Sequence, residues 1–518
     1  MASATCCGRL KPTKLKEVAP GCSYKMPLDA TCLEKRRICR YVPSFYGAYL
    51  PFVHNNCTHN EFFSLRDRVV GRVPEPTREG LLMLQCEARL VGRVLPSTII
   101  LSDDAVLAKM SGRRKTRYFH AAESLKHRPI GKSDAFINAF VKAEKMNPNS
   151  KHNPAPRMIQ AANARYNFAL FKYLKPMEHN LYQLRTPMGH PVVGKGLNTI
   201  QRAEALELKM AEFNHPVVWS LDASRFDQHV AREVLEVEHS IYNRCCHDPQ
   251  LRQLLSWQLD IRGITTTGIK YKTRGKRMSG HPNTALGNCL LMYLFTAAAM
   301  RELKVRYELF VDGDDTLVIV DELDEEELFK LPGIFLRFGQ ELKIENRATE
   351  LHQVNWCQSK PCLVNGRWQF VADYRKVLSS ACAGVKYWHE EKTRIDMAFS
   401  VGQCLLALYS GAPIIGAFAQ RLCDLGGKIN RDVYESDIYH KVRSSKVIIG
   451  DLKSTEPTAE ARELFSQSWD IDFAMQRVVE ESFKDFNITG HKLVQGDEIT
   501  GDWVLAYEPG TYPTQVLG

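Results

Sequence analysis

The sequence predicts an α+β fold in which an antiparallel sheet is flanked by helices. Three observations carry that prediction. Residues 310–320 read Phe-Val-Asp-Gly-Asp-Asp-Thr-Leu-Val-Ile-Val, two runs of β-formers joined by a tight turn at Asp312-Gly313-Asp314-Asp315. Residues 217–221, Val-Val-Trp-Ser-Leu, form a second apolar run that ends on a carboxylate, Asp222. Apolar residues at three- and four-residue steps mark helices over 79–95, 204–213 and 232–246, from Asn283 onward, and through much of the chain after residue 375.

The elements follow in order. The first forty residues are basic, with Arg9, Lys11, Lys14, Lys16, Lys25, Lys35, Arg36, Arg37 and Arg40 against Glu17, Asp29 and Glu34. Prolines and cysteines break any period there, which predicts an extended arm or a connection between lobes, either a solvated face or an RNA contact. A second basic cluster spans 109–132 and includes Lys109, Arg113, Arg114, Lys115, Arg117, Lys126, Arg128 and Lys132, with Tyr118 and Phe119 interleaved. Positive charge mixed with aromatic faces suits a nucleic-acid strand. Residues 321–327 form an acidic, solvated patch before a short helix, and Pro457 precedes a helix start near Ala459.

Composition narrows the classes. A chain of 518 residues holds two or three domains or one multi-lobed enzyme. The net charge of +10 is mild for that length, so it matters only where it is clustered. The 15 cysteines are scattered and Met1-Ala2-Ser3-Ala4 has no apolar signal core, which predicts a reducing, cytosolic setting. Cys32, Cys39, Cys57 and His59 do not have the spacing of paired zinc knuckles. The apolar stretch 290–300 stops at Arg301, and 397–418 is broken by Gln403, Ser410, Gly411 and Pro413. Both read as buried helices rather than membrane spans. Work at a membrane would then need another protein or a surface contact.

The chemistry sits in three patches. Asp222 at a strand end, with Asp227 five residues on, and the Asp314-Asp315 turn are two loops that could converge on a pair of hard divalent cations, Mg²⁺ or Mn²⁺. Taken alone, an Asp-Gly hairpin is also an ordinary turn. Ser279-Gly280 opens a helix on which Thr284 and Asn288 share a face, where small polar groups can hydrogen-bond a ribose; a helix start with a satisfied Asn is the plainer alternative. Lys142, Lys145 and Arg157 are cations on short alternating stretches, able to neutralise a triphosphate or simply solvated.

Together these patches resemble the palm of viral RNA-dependent RNA polymerases, in the family's order along the chain. Residues 142–157 look like motif F, Asp222 and Asp227 like motif A, Ser279-Gly280 with Thr284 and Asn288 like motif B, and Gly313-Asp314-Asp315 like motif C. Phe338-Gly339-Gln340-Glu341-Leu342-Lys343 resembles motif D and Asn355-Trp356-Cys357-Gln358-Ser359 resembles motif E, with Trp356 where the family pattern has Phe. The resemblance is strongest over residues 136–360 and is to the tombusvirus-like replicases of positive-strand RNA plant viruses, which share Pro154-Ala155-Pro156-Arg157, Arg165-Tyr166-Asn167 and Tyr173-Leu174-Lys175-Pro176.

The resemblance implies a closed right hand. Residues 1–135 would be an N-terminal arm and fingers, 136–215 fingers with part of the palm, 216–375 the palm with a fingers insertion about 245–275, and 376–518 a helical thumb and tail. It implies Asp222, Asp314 and Asp315 as ligands of two Mg²⁺ (or Mn²⁺) ions, and Lys343 as a proton donor. Lys142, Lys145 and Arg157 would bind the NTP phosphates, and Asp227, Ser279, Thr284 and Asn288 would read the ribose. Trp356, Cys357 and Gln358 would grip the primer. The implied partners are template and product RNA, NTPs, a viral auxiliary replication protein and host factors, in the host cytoplasm at membrane-bound replication complexes reached through another protein or segment. A reverse transcriptase-like palm enzyme and a non-catalytic RNA-binding replication scaffold are the alternatives. Asp227 with Asn288 favours ribose over the first, and the intact carboxylates and cations argue against the second.

Overall fold

The structure, a computed structural model, describes residues 18–488 except 29–31, 35, 37, 44–46 and 151–153, together with 493–494. Much of the basic N-terminal stretch (Arg9, Lys11, Lys14, Lys16, Lys35 and Arg37) and nearly all of the tail after residue 488 lie outside the described residues.

A four-stranded sheet organises the middle of the chain. Its order is Glu308–Asp312, Asp315–Asp321, Pro216–Ala223, Leu342–Ala348, with every neighbouring pair antiparallel. Side chains alternate across a strand with period two, and here each face has its own core. Leu309, Val311, Val318 and Val320 join one large cluster with the Thr284–Leu303 helix, while Phe310, Leu317, Ile319 and Val218 join a second cluster with the Thr199–Met210 helix. A sheet covered on both faces explains why residues 317–320 read as an unbroken apolar run. Phe310 is fully buried, and its truncation to Ala would cost about 3–5 kcal/mol.

The Thr284–Leu303 helix buries residues on all sides, from Leu286 through Met300, as expected of a helix in the centre of a large core. Among the described residues no helix is long and apolar enough to cross a membrane.

A second sheet has five strands in the order Ser23–Lys25, Lys270–Arg274, Asp260–Thr265, Ile137–Val141, Met158–Ala162. Only the pairing of Ile137–Val141 with Asp260–Thr265 is parallel. The basic stretch 109–132 folds largely into the Gly112–His127 helix, with Tyr118 buried and Phe119 half exposed.

After the Ser359–Val364/Arg367–Ala372 hairpin the chain is mainly helical, with a separate core around Tyr374, Leu405, Phe418 and Phe465. Cys39, Tyr41 and Ala48 join that core, and Cys39–Arg40 pairs with Ala383–Gly384, so an early segment is stitched into the last third of the chain. The α+β expectation therefore holds, with antiparallel sheets and many helices.

Candidate active site

The sheet brings the predicted carboxylates to one end. Asp312 opposes Asp315 across a two-residue turn in which Gly313 takes φ +76°, the positive first central position of a type II′ hairpin. In the adjacent ladder Leu221 opposes Thr316, so Asp222 lies one residue beyond, beside Asp315. Asp314 and Asp315 are open to a large cavity yet ringed by protein. Burial raises the pKa of Asp314, and the charge of Asp222 adds to it. Burial and the charge of Asp314 push Asp315 up to about 6.

Among the described residues no three His, Cys, Asp or Glu side chains form a ready-made metal cluster. The donor chemistry nevertheless fits a hard divalent cation: carboxylates gather at one sheet end, and burial, with repulsion from Asp222 at Asp314 and from Asp314 at Asp315 adding to it, raises the pKa values of both turn carboxyls.

Asp312, one residue before the turn, behaves differently. Lys195 and Arg202 both pair with it, Arg202 Nη2 at 2.5 Å from Oδ2. Burial alone would raise its pKa, but the charges of Arg202 and Lys195 hold it below the usual carboxylate value. The Thr199–Met210 helix clamps the Glu308–Asp312 strand at both ends: Arg202 takes Asp312, and Lys209, seven residues on along the same helix face, takes Glu308 at 2.5 Å. Between them Phe310 stacks on Trp356 with ring centroids 4.5 Å apart. The Arg202 guanidinium lies 5.2 Å from the Trp356 ring centre. A Cβ on Gly194 would meet the Trp356 ring at 2.5 Å, so only glycine lets the loop before the helix pass. Sequence reasoning missed this clamp.

Of the predicted sugar-reading residues, Ser279, Thr284 and Asn288 line the same cavity, and Asp227 reaches it through Asn288. Asp227 lies in the short Phe226–His229 helix, and its Oδ1 accepts from Asn288 Nδ2 at 3.0 Å. Burial, opposed by that hydrogen bond, pushes Asp227 up to about 6. Asn288 and Thr284 line the cavity from one helix face. Thr284 Oγ1 donates to the carbonyls of Met278 and His281, closing the turn before the helix. Ser279 Oγ accepts from Gln160 N at 3.0 Å and donates to Met158 O at 3.3 Å, which docks the Ser279-Gly280 turn on the Met158–Ala162 strand.

The predicted phosphate-binding cations are not all together. Lys142 and Arg157 flank Glu144, at 3.6 and 3.3 Å, an acid that sequence reasoning passed over. The charge of Arg157 acts on both Asp227 and Asp314. Lys145 points elsewhere: its Nζ donates to the carbonyls of Ser380 and Ala383 at 2.7 and 3.2 Å, and although the residue keeps exposed surface, desolvation around the ammonium lowers its pKa. Lys343 is exposed and directly opposes Asp222 in the sheet, so the two share a face.

The cavity measures about 1390 Å³, larger than a typical small-molecule pocket. Its other walls include the cations Arg113, Arg114 and Arg117 from the Gly112–His127 helix and Lys441 from the Asp437–Ser445 helix, with His440 beside it. The first of these helices also reaches the short turn ahead of the second, Arg113 Nη2 lying 3.9 Å from Asp432 Oδ1. Trp356 and Cys357 line the cavity as well, while Gln358 accepts from Lys376 Nζ. Cys357 and Gln358 take φ +51° and +58° in a turn closed by paired Trp356–Ser359 hydrogen bonds of 2.9 and 3.0 Å. Two non-glycine residues there store strain at the cavity wall.

The family described as viral RNA dependent RNA polymerase matches residues 24–491. The chain belongs to that family. Its polymerase relatives include the RNA-directed RNA polymerase of Groundnut rosette virus (strain MC1), 33% identical over 448 residues that cover 83% of this chain and 52% of the relative. The same enzyme of Turnip crinkle virus is 30% identical over 486 residues, covering 89% and 61%, and that of Carnation mottle virus is 31% identical over 495 residues, covering 92% and 64%. The chain thus spans between about half and two thirds of the length of these polymerases.

Proposed function

We propose that this chain is the catalytic part of a replicase that copies a positive-strand viral RNA, adding nucleotides from NTPs to an RNA 3′ end under the direction of an RNA template. The observation that carries the reading is the sheet order: neighbouring antiparallel strands deliver Asp222 and Asp314-Asp315 to one end, beside a cavity walled by arginine and lysine. Family membership supports the same reaction class. The central sheet is then a palm, the five-stranded sheet and the basic helix belong to the fingers, and the C-terminal helices form the thumb.

Asp222, Asp314 and Asp315 would hold two Mg²⁺ or Mn²⁺ ions, which when bound would acidify the attacking 3′-hydroxyl and neutralise charge on the transferred phosphate. Arg157 and Lys142 hold the incoming phosphates at the edge of the Ile137–Val141/Met158–Ala162 pair, with Glu144 keeping both cations in place. Lys145 would serve the phosphates only after leaving the carbonyls of Ser380 and Ala383. Lys343, on the face of Asp222, gives a proton to departing pyrophosphate. Asp227 and Asn288, with Ser279 and Thr284 shaping the turn beside them, read the 2′-hydroxyl. Trp356, Cys357 and Gln358 support the primer terminus. Template base pairing selects the base. An auxiliary viral protein, host factors and recruitment to a membrane through another segment complete the working complex.

The test is incorporation of labelled rNTPs on primed and unprimed RNA, with Mg²⁺ and with chelator. Cation-dependent, template-directed extension is expected. Extension with dNTPs as good as with rNTPs would favour a reverse transcriptase-like enzyme, and RNA binding without any extension would favour a scaffold.

A further inference from the structure

Behind Asn288 lies a buried charged network. Arg277 is 2% exposed and Glu238 is fully buried. The guanidinium grips Glu238 through both terminal nitrogens, Nη1 at 3.1 Å and Nη2 in a shorter contact. Its third donor position, Nε, reaches Asn288 Oδ1 at 3.0 Å. Glu238 Oε1 also accepts from Tyr242 Oη at 2.8 Å and Asn283 Nδ2 at 3.2 Å. The Thr284–Leu303 helix makes room for the pair at Gly287, where a Cβ would stand 2.5 Å from both Arg277 Nη2 and Glu238 Oε1.

This arrangement decides which way the Asn288 amide points. An amide has a donor end and an acceptor end, and a guanidinium can only donate. With Oδ1 taken by Arg277, Nδ2 must face Asp227, as its 3.0 Å contact with Asp227 Oδ1 records. The flipped amide would set an oxygen against a carboxylate and an NH₂ against a guanidinium. The backbone reinforces the geometry: Arg277 N donates to Asp227 O at 2.9 Å, so the segment that orients Asn288 is also tied to the turn carrying Asp227.

We infer that Arg277, braced by Glu238, is a positioning residue for sugar selection. It fixes the Asn288 amide so that the second Nδ2 hydrogen offers the nucleotide 2′-hydroxyl a donor and the remaining oxygen of Asp227 offers it an acceptor, in a set geometry. A site built this way strands its polar groups when deoxyribose arrives, the direction in which discrimination is strong. The inference rests on the proposed polymerase reading of Asp227 and Asn288.

Arg277→Lys keeps a cation beside Glu238 but removes the planar third donor. Glu238→Gln keeps the volume and weakens the brace. For the full chain on a primed RNA template, kcat/KM would be measured for an rNTP and its matched dNTP. The rNTP/dNTP ratio should fall tenfold or more in Arg277→Lys and by a smaller factor in Glu238→Gln, with most of the change in KM. In an Asn288→Ala background Arg277→Lys should move the ratio no further, because its route to the sugar is gone. An unchanged ratio, an equal loss for both sugars (complete loss included) or an additive effect in the Asn288→Ala background would overturn the inference. A wild-type chain that extends no primer would overturn the polymerase reading itself, and the inference with it.

Discussion

The two sides of the Asp312–Asp315 turn hold their charges in opposite ways. Asp312 is enclosed by Lys195 and Arg202, its carboxyl held below its usual pKa by them against the pull of burial, and it belongs to a clamp that continues to the buried Lys209–Glu308 pair. Asp314 and Asp315, one turn away, face the cavity and have raised pKa values: at Asp314 burial and the charge of Asp222 outweigh the opposing charges of Arg157 and Lys195, and at Asp315 burial acts with the charge of Asp314. Opposite Asp222, Lys343 is likewise exposed. Carboxylates paired tightly within the protein hold the fold, whereas carboxylates with raised pKa values at the mouth of a basic cavity are where the proposed cations would bind. The clamp on this closed side ties the strand that leads into the turn at both of its ends, next to the carboxylates of the open tip.

The largest expected effect lies on the open side. On the proposed metal-ligand role, Asp314→Ala should cut nucleotide incorporation by about a thousandfold or more while leaving the melting temperature unchanged or higher. Elongation within tenfold of wild type would dissolve the distinction between the two sides. Lys343→Leu should slow the chemical step by about a hundredfold, the range of a general acid, and shrink the solvent isotope effect. If the rate and isotope effect both stay put, the proton comes from another group.

The open side was also the legible side. A strand, a tight turn and a second strand are local patterns, so residues 310–320 could be read directly within the observed strands Glu308–Asp312 and Asp315–Asp321, and helical spacing put Thr284 and Asn288 on one face. The closed side was not legible, because its partners lie far away in the chain. Lys195 meets Asp312 across 117 positions, and nothing local to either residue announces the other. A signal did exist: Arg202 and Lys209 are two helical turns apart, and Glu308 and Asp312 are four strand residues apart, spacings that match in length to within a few ångströms. The five-stranded sheet escaped notice because its one parallel pairing joins residues 137–139 to 263–265. The diversion of Lys145 to the carbonyls of Ser380 and Ala383 depends on how the C-terminal helices fold back, which no local pattern encodes.

A smaller effect should appear on the closed side as stability rather than chemistry. Asp312→Asn leaves Lys195 and Arg202 facing a neutral amide. A fully buried pair broken this way costs about 3–5 kcal/mol, and the partial exposure of both cations puts this one lower, at about 2 kcal/mol. Denaturant or thermal unfolding should show the loss, while kcat falls far less than in Asp314→Ala. A variant as stable as wild type would mean the clamp does not hold the strand.

The smallest effect tests both sides at once through pH. The folded-state pKa of Asp315 is raised from 3.8 to about 6. The native state therefore binds this proton more tightly than the unfolded chain, so the group adds stability as pH falls from about 6 toward 3.8 and withdraws it as pH rises through about 6. Asp312 has the opposite sign: its depressed pKa gives stability that is present above 3.8 and lost only below. A divalent cation needs the ionised carboxylate, so binding at the open side must displace the proton. Added Mg²⁺ should raise the melting temperature by a few degrees at about pH 8, where saturation to about 100 times Kd is worth about 2.7 kcal/mol, and by much less at about pH 5. In Asp315→Asn the difference between the two pH values should shrink, and in Asp312→Asn it should persist. A Mg²⁺ shift equal at both pH values would place the cation away from the carboxylates, and the contrast between the two sides of the turn would no longer describe where the outside charge binds.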